Sequence, residues 1–121
     1  MLQRDDAEHP VPEEWRATFQ QIADAFVAGD FALIKTAIDR VAPLDQETAG
    51  SIANNVSAYG GELAPLNSAT WEWAKYRWMN GYWEFIVDLT TTRDPVSDLA
   101  LHSKLADSDH SALEIRSVHV P

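Results

Sequence analysis

The chain has 121 residues, of which 45% are apolar, and this length predicts a single domain with its own hydrophobic core. It has no cysteine, which excludes disulfides, cysteine metal ligands and a cysteine nucleophile. The net charge of −10 disfavours nucleic acid and anionic membranes as partners. It favours encounter with a basic protein, although solubility alone is an equally good reason for such a charge.

The first residues, MLQRDDAEHPV, are polar and acidic, with little hydrophobic pattern. A secretion signal would need a basic start and an apolar run of about 7 to 15 residues, and a membrane span would need about 18 apolar residues. We therefore expect a polar tail at residues 1–11, a single domain at residues 12–121, and a cytoplasmic location.

Three amphipathic helices are predicted in the first half of the chain. The first begins at Pro12 and ends at Gly29. Its apolar residues recur at helical spacing and form one stripe: Trp15, Phe19, Ile22, Phe26 and Val27. The second is capped by Asp30 and carries a similar stripe before Pro43: Phe31, Ile34, Ala37, Ile38 and Val41. The third begins at Asp45 and ends at Tyr59-Gly60-Gly61.

After Gly61 the hydrophobic period changes from about 3.6 to 2, which indicates strands. Residues 62–66 are a short edge strand or only a connection, because Pro65 interrupts them. A hairpin is predicted at residues 70–89, and further strands near 97–105 and 113–120, with a bulge allowed in the last. The predicted fold class is α+β, with about three N-terminal helices packed on one face of a four-stranded antiparallel meander sheet.

The hairpin sequence, TWEWAKYRWMNGYWEFIVDL, holds four of the five tryptophans and contains Asn80-Gly81, a favoured two-residue turn. That turn sets the cross-strand pairs, which are Met79–Tyr82, Trp78–Trp83, Arg77–Glu84, Tyr76–Phe85, Lys75–Ile86, Ala74–Val87 and Trp73–Asp88. Because side chains alternate along a strand, the apolar pairs share one face, which must pack on the helices.

The opposite face of the hairpin is the candidate contact surface. Three aromatic side chains, Trp71, Trp73 and Tyr82, are predicted to lie there among charged groups. Tryptophan, tyrosine and arginine dominate the energetics of protein interfaces. The predicted partner-binding residues are Trp71, Trp73, Tyr82, Glu84, Asp88, Asp98 and His102. The alternative is that the tail, residues 62–66 or a second copy of the chain covers these rings.

No catalytic residue, metal ligand or cofactor site is predicted. The sequence contains no HExxH, no glycine-rich phosphate loop and no GxSxG motif, and the histidines lack metal-ligand spacing. Asp88, Asp98 and His102 could converge on one face, which is the minimum for general base catalysis. An enzymatic role is thus left open, with a solvated or partner-facing surface as the favoured interpretation.

Five segments together resemble a bacterial domain family of unknown function. They are AFVAGDF at 25–31, YGGELAPL with TW at 59–71, WMNGYWEFIVDL at 78–89, SDLAL at 97–101 and VHVP at 118–121. The resemblance implies no catalytic residue, because each segment has the pattern of a hydrophobic core, a turn or a helix cap. The helix ending in GDF is more loosely similar to the nuclear-transport-factor-like, or ketosteroid-isomerase-like, cone, which implies helices packed in the concavity of a curved sheet.

The leading hypothesis is a non-catalytic bacterial protein-binding domain, of the kind that neutralises a toxin as an immunity protein or inhibits an enzyme, acting through an acidic, tryptophan-bearing sheet face. One alternative is a small-molecule-binding or enzymatic domain with a pocket between helices and sheet. Another is a housekeeping homodimer with the same face as its interface.

Overall fold

The computed structural model describes residues 2–108 and 111–121, and this part of the chain folds as an α+β structure. Asp109 and His110, in the polar loop expected after the third long strand, lie outside the described residues. The elements are β1 (His9–Pro10), α1 (Glu13–Val27), α2 (Gln46–Tyr59), β2 (Leu63–Ala64), α3 (Thr70–Trp73), β3 (Lys75–Trp78), β4 (Tyr82–Asp88), β5 (Thr90–Thr91), β6 (Ala100–Ala106) and β7 (Glu114–His119).

The main sheet has five strands in the order β1-β3-β4-β6-β7, and every neighbouring pair is antiparallel. The predicted fold class is confirmed, but the prediction of four strands is wrong. The fifth strand comes from the expected polar tail, where His9 pairs with Tyr76 and Pro10 with Lys75. Two residues, one of them proline, give no alternating pattern from which a strand could be predicted.

The predicted first helix is confirmed, and its buried face is the predicted stripe except for Val27, which is exposed. The helix ends because Gly29 adopts a left-handed φ of +83°. The amide of Asp30 then donates to the carbonyl of Ala25. The predicted third helix is also confirmed as α2, where the carboxylate of Asp45 accepts from the Thr48 amide at 2.7 Å.

The predicted second helix is wrong, because residues 31–41 form an irregular loop. The carboxylate of Asp30 accepts three amide hydrogen bonds, from Ile34, Lys35 and Thr36 at 2.9–3.0 Å. Desolvation alone would raise the pKa of Asp30, but these amides lower it below its ordinary value. Such side-chain bonds compete with helical hydrogen bonds. Leu33 also takes a left-handed φ of 56°, which a helix cannot contain.

The predicted hairpin register is confirmed from Trp78–Trp83 through Lys75–Ile86, with Asn80 and Gly81 both at positive φ in the turn. The pairs beyond Lys75 do not form, because residues 70–73 are a short helix instead of a strand. A turn that begins at Asn67 leads into this short helix, since the Asn67 side-chain oxygen accepts from the Ala69 amide at 2.9 Å. Thr70 is fully buried there.

The last two long strands pair with a register shift. His102 pairs with Ser117 and Ser103 pairs with Ile115, so Arg116 has no opposing residue in β6. This β-bulge lies in the last strand, where the sequence allowed one. Of the two alternatives for residues 62–66, the short strand is the one that forms, and it pairs with β5 in a separate two-stranded sheet.

Phe85 lies at the centre of the core, between the sheet and α1. Its side chain is fully buried, and its ring centroid lies 5.4–5.7 Å from the rings of Trp15, Phe19 and Tyr76. The helix α2 packs beside the outermost strand β7, where the Asn55 side chain donates to the Val118 carbonyl at 2.9 Å. One face of the sheet therefore packs in the core, and the opposite face is turned toward solvent.

Candidate functional site

The outer face of the sheet is the side turned away from α1. Cross-strand pairing assigns these residues to it: Lys75, Arg77, Tyr82, Glu84, Ile86, Asp88, Ala100, His102, Lys104, Ala106, Glu114, Ser117 and His119. Every one of these side chains except Ala100 is at least partly exposed. The outer face is thus a continuous solvent-accessible surface built on rigid strands, the kind of support that holds a binding site in place.

The charges of the outer face are balanced. Its three basic residues are matched by three acidic ones, and one row across the sheet alternates in sign through Arg77, Glu84, Lys104 and Glu114. The expectation of an acidic sheet face is therefore wrong. Most of the acidic excess lies in residues 1–62, which hold 11 acidic and 4 basic side chains. Opposite charges that face each other on neighbouring strands stabilise the sheet, and this explains the alternation of sign across it.

Four of the predicted site residues share the outer face as expected: Tyr82, Glu84, Asp88 and His102. Tyr82 is held by Lys104, whose ammonium group lies 4.5 Å from the centre of its ring. Asp98 is exposed in the loop before β6.

The predicted placement of Trp71 and Trp73 on a strand of the outer face is wrong, because both lie in the helix α3. Trp71 is partly buried against the core, with the guanidinium of Arg16 from α1 5.5 Å from its ring centre. Trp73 is 68% exposed, two residues before β3 begins. Trp73 is therefore available for contact, whereas Trp71 mainly stabilises the fold.

The side chains of Asp98 and His102 lie close enough to Asp88 to influence its pKa. Desolvation and the neighbouring Asp98 raise the pKa of Asp88, against the opposing effects of Lys75 and His102. Desolvation and the neighbouring His119 lower the pKa of His102 below 6.5, although Glu84 and Asp88 oppose the shift. Of the three residues expected to converge on one sheet face, Asp88 and His102 lie on the outer face, whereas Asp98 lies in the loop before β6.

His102 is held in place mainly by packing. Its ring stacks on that of His119 with centroids 4.7 Å apart, and Nδ1 of His119 is hydrogen-bonded to the Ser117 hydroxyl at 3.0 Å. The Nε2 atom of His102 is buried, and no group in residues 2–108 or 111–121 forms a hydrogen bond with it. A buried nitrogen without a partner is uncommon in native proteins.

We expect an NMR titration to give His102 a pKa below 6.5, because the fold favours its neutral form. The unfolded chain then takes up a proton more readily than the folded one, so stability should fall as pH drops from 6.5 toward the folded-state pKa. The substitution His119→Asn should raise the pKa of His102 toward 6.5. The control His9→Asn, on the far strand, should leave it unchanged, and equal effects of the two would contradict the stacked arrangement.

A pocket of about 270 Å³ opens on the outer face at the β-bulge, and sequence reasoning did not identify it. Its lining residues are Tyr82, Glu84, His102, Ser103, Lys104, Arg116 and Ser117. The sequence predicted a possible bulge but not its partner residues. Bulges are often found next to functional sites, and this is the one signal that could have directed attention to Arg116.

Within the part of the chain that the structure describes, no group of three or more histidine or acidic side chains is arranged to hold a metal ion. In the same residues, no helix combines the length and apolar character that crossing a bilayer requires.

Residues 23–121 match the model of a protein family described as a domain of unknown function, DUF7668. The chain belongs to this family. The resemblance to a family of unknown function that its sequence segments indicated is thereby confirmed. No curated protein and no solved structure matches the chain. The DUF7668 match begins within α1 and includes the strands β3, β4, β6 and β7, and with them the whole outer face.

Proposed function

We propose that this DUF7668 domain is a non-catalytic protein-binding domain that acts through the outer face of its sheet. In this proposal it works in the bacterial cytoplasm and neutralises a toxin or inhibits an enzyme by covering part of its surface. The observation that carries the proposal is the continuous, partly exposed outer face, on which Tyr82, Glu84, Asp88 and His102 meet. The exposed ring of Trp73 adds an anchor beside it.

The side chains on this face are suited to binding because neighbours already restrain them. Tyr82 carries the Lys104 ammonium over its ring, and His102 stacks on His119. Groups that are ordered before binding lose less conformational entropy when a partner arrives. A partner can thus gain contact energy from these residues without ordering them first.

The charges of this face and of the whole chain act at different stages of binding. The net charge of −10 speeds encounter with a basic partner over distances of about a Debye length. The outer face offers both signs at short range, so the docked partner must place opposite charges against Arg77, Glu84 and Lys104. Complementary charges of this kind determine specificity and register more than overall affinity.

The proposal is tested by affinity capture with the tagged full chain, using a lysate of the organism that encodes it. Asp88→Lys and Tyr82→Ala should each reduce retention of the captured protein by about tenfold or more. The matched control is Asp24→Lys, on the exposed side of α1, which changes the net charge by the same amount. Retention of the captured protein should be unchanged by this control.

Equal losses with Asp88→Lys and Asp24→Lys would show that net charge rather than the outer face controls binding, and the proposal would fail. Size-exclusion chromatography of the same proteins tests whether the partner is a second copy of the chain. In that case the wild type would elute as a dimer, and Asp88→Lys would shift it to a monomer.

A further inference from the structure

A groove of about 460 Å³ lies where the helices α1 and α2 end. The segments that meet there are the last turn of α1, the residues that follow it, the end of α2 and the start of β2. Five apolar side chains and one carboxylate line the groove: Phe26, Val27, Phe31, Val56, Leu63 and Glu62. None of them belongs to the outer face, so the groove is a separate surface.

The apolar walls of this groove are incompletely covered. Val27 belongs to the apolar stripe of α1 but is 44% exposed, and Phe31 and Leu63 are half-buried. The rings of Phe31 and the buried Phe26 pack with their centroids 5.3 Å apart, which holds this wall in place. Single exposed apolar residues are ordinary, but these share one concave surface. Filling it with an apolar side chain would remove that surface from water and is therefore favourable.

The electrostatic character of the groove is negative. The C-terminus of a helix carries a partial charge of about −0.5, and neither α1 nor α2 has a basic residue in its last turn. No backbone amide in residues 2–108 or 111–121 donates to the carbonyl of Val27 or of Tyr59, the last residues of the two helices. Glu62 and Asp24 add two exposed carboxylates. Positive charge is therefore favoured at this end of both helices.

The backbone that carries Glu62 is fixed. Its carbonyl accepts from the Thr92 amide at 2.9 Å, and the next two residues form the strand β2. On the other side of the groove, the amide of Asp30 donates to the Ala25 carbonyl and closes the end of α1. Both sides are thus formed before a partner arrives, which lowers the entropy cost of binding.

We propose that this groove binds a basic, partly apolar segment of a partner protein, in which lysine or arginine lies next to leucine or a similar side chain. The apolar side chain packs against Phe26, Val27 and Phe31, and the cation lies near Glu62 and the two helix ends. The stems of lysine and arginine are apolar, so they also fit such walls. The net charge of −10 speeds encounter with a basic segment. An acidic segment would be repelled, and a wholly polar one would leave the walls in water.

The experiment is an NMR titration of the isotopically labelled full chain with three peptides blocked at both ends, at constant ionic strength. The probe is KLLKKLLKKLLK, and the controls are ELLEELLEELLE, which keeps the leucines, and KSSKKSSKKSSK, which keeps the lysines. Saturating shifts at the amides of Val27, Phe31 and Leu63 are expected with the probe and not with the controls. Added salt should weaken the affinity, because part of the attraction is between charges.

The substitution Val27→Lys separates a loss of binding from a loss of folding. A lysine in the last turn of α1 complements the helix dipole, so the variant should be at least as stable as the wild type. It places a positive charge in the groove, and the affinity for KLLKKLLKKLLK should fall by about tenfold or more. The matched control is Val120→Lys, at a valine that is 53% exposed, and it should leave the affinity unchanged.

Similar shifts with either control peptide, or equal affinities of Val27→Lys and the wild type, would overturn the inference. Size-exclusion chromatography of the free chain tests the other occupant. If the wild type elutes as a dimer that Val27→Lys converts to a monomer, a second copy covers the groove and the inference is wrong.

This inference does not depend on the proposed function. Tyr82→Ala, which should reduce protein capture through the outer face, should bind KLLKKLLKKLLK as the wild type does. If the peptide binds while Tyr82→Ala leaves capture intact, the groove is right and the proposed contact surface is wrong. If capture depends on Tyr82 but the peptide does not bind, the reverse holds.

Discussion

Replacing Phe85 by alanine is expected to lower the free energy of unfolding by about 3–5 kcal/mol. The side chain is fully buried, and three aromatic rings, those of Trp15, Phe19 and Tyr76, surround it. Removing it leaves a cavity between α1 and the sheet that these large rings cannot fill by small shifts. Urea denaturation followed by tryptophan fluorescence measures the loss.

The matched control for this prediction is the next residue in the same strand. Ile86 points to the outer face and is only half-buried, so Ile86→Ala should cost about 1 kcal/mol or less. Comparable losses from the two substitutions would contradict the assignment of one face to the core and the other to solvent.

Removing residues 1–4 is expected to cost about 2–4 kcal/mol, from the burial of one leucine and two or three hydrogen bonds. Leu2 is buried, the Gln3 amide donates to the Tyr76 hydroxyl, and the Gln3 carbonyl accepts from the indole of Trp83, both at 2.8 Å. Arg4 also forms an ion pair with Asp107. Thermal unfolding of the shortened chain measures the effect.

Asp6→Ala is the control for the shortened chain, because Asp6 is exposed, and it should leave the melting temperature unchanged. If the shortened chain has the same melting temperature as the wild type, this segment is a loosely held tail, as its polar composition suggests.

The sequence predicts best where local chemistry and long-range packing agree. Asn80-Gly81 determine the turn, and the alternation of apolar and polar residues determines the register. The pairs from Trp78–Trp83 through Lys75–Ile86 are therefore predictable from the sequence. The same alternation placed Tyr82, Glu84, Asp88 and His102 on one face. This part of the site was therefore predictable.

The sequence predicts poorly where side chains bond to the backbone. At residues 31–41 the spacing of apolar residues fits a helix, but the Asp30 carboxylate binds three amides and holds a loop that buries Leu33 and Ile38 instead. At residues 70–73 the strand-like pattern of TWEW gives way to a helical turn that Asn67 starts. Neither hydrogen-bond pattern can be recognised from hydrophobic period alone.

The pocket at the β-bulge depends on tertiary context in another way. A bulge could be suspected from the irregular end of the last strand, but only pairing with β6 places Arg116 next to Ser103 and His102. Burial without a partner is likewise a property of the folded chain, and no spacing in the sequence encodes it.

In the proposed function, the outer face of the sheet is the surface that binds a protein. The most direct measurement is an NMR map of the labelled chain, recorded as the captured protein is added. We expect the shifts to concentrate on the outer face, with α1 unaffected, at these residues: Tyr82, Glu84, Ile86, Asp88, His102 and Lys104. Shifts confined to the exposed side of α1 or α2, with these residues unchanged, would contradict it.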